Sequence, residues 1–147
     1  MKLIIQRVSE ASVSVNGGSP RAIGRGLAIL LGVGEGDRPE QADKLAYKAA
    51  NLRIFADSEG KMNLSAAQLG LEILVVPNFT LYADTKKGLR PSFAGAAGEE
   101  IARPAFERFM EALKAQPGLG GVRCGVFGAD MKLALVNDGP VTIIMES

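Results

Sequence analysis

This sequence contains no histidine. That absence removes the commonest general base and, with it, every triad of the serine-protease or papain kind. It also removes the usual nitrogen ligand of zinc, and the lone cysteine, Cys124, can neither build a sulfur site nor form an internal disulfide. Carboxylates alone remain as metal ligands and no spacing signals such a site, so neither metal nor cofactor is expected. Three other clusters have chemical potential. Asn137-Asp138-Gly139-Pro140 interrupts an apolar run that resumes as Val141-Thr142-Ile143-Ile144-Met145. Pro140 has no N–H and fixes its φ at about −65°, so this corner is rigid and can display backbone oxygens with no side chain in the way. Lys86-Lys87-Gly88-Leu89-Arg90 sets three cations beside a glycine; it is the best local phosphate site and equally an ordinary solvated turn. Gly32, Gly34 and Gly36 follow G-x-G-x-G, not the dinucleotide fingerprint G-x-G-x-x-G, and read as a turn.

The elements that must hold these clusters follow from periodicity. Leu3–Val8 and Ala11–Val15 read as two strands, the second alternating strictly, and Leu27–Val33 as a central strand covered on both faces. Asp37 is placed to cap a helix that takes Pro39 in its first turn, has Glu40 in a box-like spacing, and runs to about Asn51 with Ala42, Leu45, Ala46 and Ala49 inward. Arg53–Phe55 is a short strand, followed by a turn at Asp57-Ser58-Glu59-Gly60. Leu71–Val76 is a buried strand, and Pro77 marks an edge or bulge at its end. Residues 83–98 form the longest loop. Glu99–Ala115 reads as a second helix with Ile101, Ala105, Phe109, Ala112 and Leu113 on one face, its regular part beginning near Arg103 because of Pro104. Val122–Phe127 and Lys132–Val136 are further strands, and Asp138-Gly139 predicts that the last fifteen residues form a tight hairpin.

Composition sets the bounds. A chain of 147 residues suits one domain, 1–147, burying roughly 68 to 70% of its unfolded surface. No apolar run approaches the roughly 20 residues of a membrane span. The N-terminal apolar stretch is too short for a signal peptide, so the cytoplasm is the expected location. With 17 basic and 16 acidic residues the net charge of +1 gives no global attraction to nucleic acid, although local clusters can still hold phosphates.

Several stretches, weak singly, are specific in their order: Ile5-Gln6-Arg7-Val8 with Ala11-Ser12-Val13; Arg53-Ile54-Phe55 with Gly60-Lys61-Met62-Asn63-Leu64; Phe79-Thr80-Leu81-Tyr82-Ala83-Asp84-Thr85-Lys86-Lys87-Gly88; Arg90-Pro91-Ser92-Phe93; and Asn137-Asp138-Gly139-Pro140-Val141-Thr142. Over its full length the chain resembles the D-aminoacyl-tRNA deacylases, also called D-tyrosyl-tRNA deacylases. One motif departs. Where the family usually has Ser-Gln-Phe-Thr-Leu, this chain has Pro77-Asn78-Phe79-Thr80-Leu81; Pro77 lacks the hydroxyl and the N–H, and Asn78 keeps an amide on a shorter stem.

The resemblance implies an α+β fold of mainly antiparallel strands, a barrel-like pair of sheets with two flanking helices. It implies hydrolysis of the ester joining a D-amino acid, and glycine mischarged on an alanine tRNA, to the tRNA 3′ end. It further implies a homodimer in which a cis Gly139-Pro140 enters the partner's active site; aminoacylated tRNA is the other partner, and no further protein partner is expected. Main chain at Gly139 and Pro140 would accept from the substrate ammonium and block every L side chain. Phe79 and Thr80 would be catalytic through backbone N–H groups at the oxyanion, with Asn78 and Leu81 binding substrate and Lys86, Lys87 and Arg90 touching phosphates. Thr80 is either a nucleophile, for which Asp84 is the only nearby carboxylate, or a residue that positions substrate while the ribose 2′-OH helps water attack. Phe79 is either core or a base-stacking ring, and Met131 and Phe127 either core or pocket lining. Arg7, on an apolar strand, needs acceptors, for which the Gly-Pro corner's carbonyls are candidates. A catalytically silent RNA-binding dimeric module and a small esterase using Thr80 are the alternatives.

Overall fold

The alternating N-terminal residues build one long strand, β1 (Lys2–Val15), where the sequence predicts two. The computed structural model describes residues 1–147. After a turn at Asn16-Gly17 come β2 (Arg21–Ile23) and the central β3 (Gly26–Gly32), which is followed by helix α1 (Pro39–Asn51) and the small hairpin of β4 (Phe55–Ala56) and β5 (Met62–Leu64). The buried strand β6 (Glu72–Pro77) leads through a 3₁₀ turn (Phe79–Tyr82) and the long loop to helix α2 (Glu99–Lys114), β7 (Gly121–Cys124) and a final strand β8 (Met131–Glu146).

These strands form a mixed six-stranded sheet of order β2-β1-β3-β6-β7, with β8 along the other edge of β1. The pairings of β1 with β2, β3 and β8 are antiparallel, and those of β6 with β3 and β7 are parallel. The sheet curls until its far strands meet: Arg21 Nη1 of β2 donates to the Cys124 carbonyl at the end of β7 at 2.7 Å. The result is the α+β, barrel-like sheet with two helices that the resemblance implied.

Strand pleating divides the core. Leu27, Ile29 and Leu31 of β3, with Ile73 and Val75 of β6, face the helices, while Ala28, Leu74 and Val76 face a second, smaller core enclosed by the sheet. The predicted stripe of α1 is buried as expected, with Ala50 added. On α2 the buried face is rotated from the prediction: Ala102, Ala105, Phe106, Phe109, Met110 and Leu113 point inward and Ile101 lies on the flank. That helix begins at Glu99 and not near Arg103; Pro104 sits inside it and forgoes one backbone bond.

The expected C-terminal hairpin does not form. β8 runs straight past Asp138-Gly139-Pro140 because β1 is long enough to pair with both halves of it. Gln6 faces Thr142, yet Val8 faces Asn137, so the intervening residues of β8 bulge out of the ladder; β1 has a smaller irregularity between Val8 and Glu10. The bulge exchanges the faces of β8, and the β1 irregularity exchanges those of β1. Leu3 and Ile5 of β1, with Ile143 and Met145 of β8, pack toward the helices, whereas Val8, Ala11, Val13, Met131, Leu133 and Leu135 pack into the enclosed core.

Asp37 does not cap α1; Arg38 occupies that place, and its N–H donates to the Gln41 side chain, not to Glu40. The Asp37 carboxylate accepts instead from the Met1 ammonium, from the Gly34 N–H at 2.6 Å and from the Tyr82 hydroxyl at 3.0 Å. Burial alone would raise this carboxyl. The ammonium hydrogen bond, the Gly34 N–H, the ammonium charge and the Tyr82 hydroxyl outweigh it and hold the group below its ordinary 3.8. The native state therefore gives up this proton more readily than the unfolded chain does. The resulting stabilisation is complete above 3.8 and is lost as pH falls through the lower native value. Asp37→Asn is expected to flatten this part of the acid limb when urea unfolding is followed between about pH 5 and pH 2; a limb as steep as that of the unsubstituted protein contradicts it.

Candidate active site

Pro77 ends the parallel ladder opposite Leu31, and the chain then turns sharply. The Asn78 N–H donates to the Leu31 carbonyl at 2.7 Å, and the Asn78 side-chain oxygen caps the following turn by accepting from the Thr80 N–H at 3.2 Å. The turn is closed by Leu81 N–H on the Asn78 carbonyl and Ala83 N–H on the Thr80 carbonyl, at 3.4 and 3.1 Å. Phe79 is thereby thrown outward, 57% exposed, its ring edge-on to Phe93 at 5.2 Å. It is not core.

Two cavities flank this turn, divided by the pleat of β3. One, of about 90 Å³, lies on the helix side between Leu31, Val33, Phe106 and Phe127. The other, of about 480 Å³, opens toward the enclosed core beside Leu30, Val76, Met131 and Leu133. Pro77, Asn78, Phe79 and Gly128 line both. Phe127 and Met131 thus line cavities and also pack against the two cores, one each. Gly128, at φ +75°, reads in the sequence only as a spacer between strands; its part in both walls has no sequence signal.

The hydrogen bonds sort the catalytic candidates. The Thr80 hydroxyl donates to the Asn78 side-chain oxygen, an amide carbonyl too weakly basic to take its proton. Asp84, the one carboxylate nearby in sequence, accepts from the Lys86 N–H at 2.9 Å. The Thr80 N–H is held by Asn78, whereas the Phe79 N–H makes no hydrogen bond within the chain. It is a free backbone donor at the cavity mouths, as are the N–H groups of Phe127 and Gly128 on the facing loop. Leu81 lines neither cavity and lies over Gly32. Lys86, Lys87 and Arg90 are exposed and form no ion pair, on a loop pinned by the Asp84–Ser92 bridge. No group of three or more Cys, Asp or Glu side chains converges as a metal site would require.

Gly139 and Pro140 are joined by a cis peptide bond and lie at the crest of the β8 bulge, exposed. Gly139 has φ +133°, and a Cβ there would meet Val141 at 3.0 Å and the Arg7 guanidinium at 3.1 Å. Arg7 is the anchor of this crest. Its Nε donates to the Asp138 carbonyl at 2.9 Å, its Nη1 donates to the Ile54 carbonyl at 2.5 Å, and its charge faces the Asp138 carboxylate at 3.4 Å. Its acceptors are therefore the carbonyls of Asp138, just before the Gly-Pro pair, and of Ile54. Neither Gly139 nor Pro140 lines a cavity of its own chain. One copy thus brings Asn78 and Phe79 together and leaves the crest apart from them.

The shape has counterparts among solved structures. The chain superposes with a TM-score of 0.84, at 17% identity and over 98% of its length, on 97% of a solved chain described as a probable eukaryotic D-amino acid tRNA deacylase, which shares its fold. A second solved chain, described as c-Myc DNA Unwinding Element Binding Protein, matches at TM-score 0.92 with 40% identity, over 100% of this chain and 99% of that one. This chain belongs to the D-Tyr-tRNA(Tyr) deacylase family, whose model matches residues 4–146. It is 59% identical, over its whole length and 92% of theirs, to the D-aminoacyl-tRNA deacylase of Roseiflexus castenholzii, and 49% identical to that of Chlorobaculum parvum, covering 98% of it.

Because Arg7 satisfies two main-chain carbonyls from a half-buried position, Arg7→Leu is expected to lower unfolding free energy in urea by about 2 to 3 kcal/mol. A change below about 0.5 kcal/mol contradicts its anchoring role.

Proposed function

We propose that this chain hydrolyses the ester joining a D-amino acid to the 3′ end of tRNA, and likewise releases glycine mischarged on an alanine tRNA, as a cytoplasmic homodimer. The observation that carries the reading is the unclaimed Phe79 N–H between two cavities in a chain related over its full length to D-aminoacyl-tRNA deacylases. Water attacks the ester carbonyl, the oxyanion accepts from the Phe79 N–H, and collapse of the tetrahedral intermediate expels the ribose 3′ oxygen, which takes up a proton. The 2′-OH of that ribose helps deliver the water.

Thr80 and Asn78 hold the geometry of the turn. With its side-chain oxygen engaged by Thr80, Asn78 has only its amide N–H donors left for the terminal adenosine. Leu81 shapes the floor of the turn. Gly139 and Pro140 reach the site from a second copy: their exposed crest and the unpaired outer edge of β8, with Val136 50% and Ile144 65% exposed, support this. Their carbonyl oxygens accept from the substrate ammonium, which strengthens the bond. With ammonium and ester fixed, D and L residues differ only in exchanging Cα–H and side chain, so main chain on the L side rejects every L residue and admits glycine. Lys86, Lys87 and Arg90 contact backbone phosphates, so tRNA affinity falls with salt.

A catalytically silent nucleic-acid-binding dimer is the second reading, favoured by the engaged Asn78 side-chain oxygen. Release of D-tyrosine from charged tRNA separates the two: retained, salt-sensitive tRNA binding without release would replace the enzyme with the module. Two substitutions test the chemistry. Thr80→Ala is expected to keep at least about a tenth of kcat, because the hydroxyl has no base to activate it. Phe79→Pro removes the N–H where the first residue of a helical turn tolerates proline, and is expected to lower kcat by about 10²–10³ relative to Phe79→Ala, which loses the ring alone. Complete loss in folded Thr80→Ala, or equal rates for the two Phe79 variants, contradicts this assignment.

A further inference from the structure

The last two residues of the 3₁₀ turn rest on a seat that takes no part in the chemistry just described. At the end of β3, a Cβ on Gly32 would come within 2.9 Å of the Asn78 carbonyl oxygen and 3.1 Å of Leu81 Cβ. A Cβ on Gly34 would come within 2.6 Å of the Tyr82 ring. Bare main chain at both positions lets the turn sit directly on the strand end. The first two glycines of the G-x-G-x-G run, read from sequence as a turn, thus have a second use as a contact surface. Above the seat, the Tyr82 hydroxyl donates to Asp37 at 3.0 Å, and the same carboxylate oxygen accepts the Gly34 N–H at 2.6 Å. The other oxygen accepts from the Met1 ammonium, and Lys2 Nζ lies 5.3 Å from the centre of the Tyr82 ring. One carboxylate therefore ties together the start of β1, the β3–α1 connection and the end of the turn.

We propose that Asp37, acting through Tyr82 with Gly34 beneath its ring, is a positioning residue for catalysis that fixes the 3₁₀ turn so that the Phe79 N–H stands where the ester oxyanion develops. This rests on the deacylase reading above. Tyr82 closes the turn that Phe79 opens, one 3₁₀ turn of three residues away, so fixing Tyr82 restrains the backbone on which the Phe79 N–H sits. The turn is only four residues long; Asn78 anchors and caps its start, while its end is closed by backbone bonds of 3.4 and 3.1 Å, the first of them weak, so the contacts of Tyr82 add the restraint at that end. An oxyanion donor acts by being pre-placed, and a misplacement of about 1 Å can cost about 10² in rate. The cavities that receive substrate are bounded mostly by other elements, so loosening the seat should leave binding in place.

The test compares Tyr82→Phe, which removes only the hydroxyl, with Gly34→Ala, which lifts the ring from below. Both are assayed on D-tyrosyl-tRNA well below their melting temperatures, with rates expressed per folded molecule. Each variant is expected to lose about tenfold in kcat with KM within about twofold, because the lost interaction acts in the transition state. Hydrogen exchange at the Leu81 and Ala83 amides should quicken while the amides of β3 and β6 stay protected. If the unsubstituted protein releases D-tyrosine and both variants keep its kcat per folded molecule, the seat has no catalytic role and only its stability contribution remains. If the unsubstituted protein is inert on D-tyrosyl-tRNA, the deacylase reading fails and takes this proposal with it.

Discussion

The antiparallel ladder between β1 and β8, broken by a large bulge in β8 and a smaller irregularity in β1, is the constraint on which the rest of this molecule depends. Both strands are long enough to pair from one end to the other, so extra residues at 138–141 have nowhere to go except outward. A bulge in mid-ladder leaves backbone groups unpaired, and each costs free energy unless something replaces the lost partner. Arg7 replaces it, giving donors to Asp138 on one strand and to Ile54 beside it. This bulge shifts which face of β8 is apolar, and the irregularity between Val8 and Glu10 does the same for β1, so one pair of strands serves two cores. The β8 bulge displays Gly139 and Pro140, and together with the smaller irregularity of β1 it divides the core.

The site has the same economy of side chains. Without histidine, the chain lacks the side chain that most readily shuttles protons at neutral pH. What the fold offers instead is main chain in fixed places: a free N–H at Phe79, on a turn capped by Asn78 and seated on two glycines, and carbonyls at the crest of β8. Main chain is blind to the identity of an amino-acid side chain. It senses which side of Cα the side chain occupies, which is what a broad D-specific deacylase requires.

Much of this was legible in the sequence, and the failures have physical causes. The burial of β3 and β6 and the stripe on α1 were readable because periodicity reports burial directly. Asp138-Gly139-Pro140 was misread as a hairpin because turn chemistry is the same whether a chain reverses or bulges and continues; only the partner strand's length decides, and that is not local. Asp37 reads as a cap by spacing, yet its carboxylate found the Met1 ammonium, a partner far away in sequence. On α2 the correct residue types were named and the face was off by part of a turn, since Ile101 is apolar and still lies on the flank. For the candidate site, the family resemblance points to Asn78, Phe79, Gly139 and Pro140, of which the fold brings Asn78 and Phe79 to one turn and leaves Gly139 and Pro140 apart, whereas Gly128, Gly34 and Tyr82 enter through contacts that no motif encodes.

Whether main chain alone judges handedness is tested by the single-turnover release of D-tyrosine, L-tyrosine and glycine from otherwise identical charged tRNAs. D-tyrosine and glycine are expected to be released at rates within about tenfold of each other and L-tyrosine at least about a thousandfold more slowly, because only the L residue puts a side chain into the wall. Release of L-tyrosine at a rate near that of D-tyrosine, or glycine spared along with L-tyrosine, would contradict it.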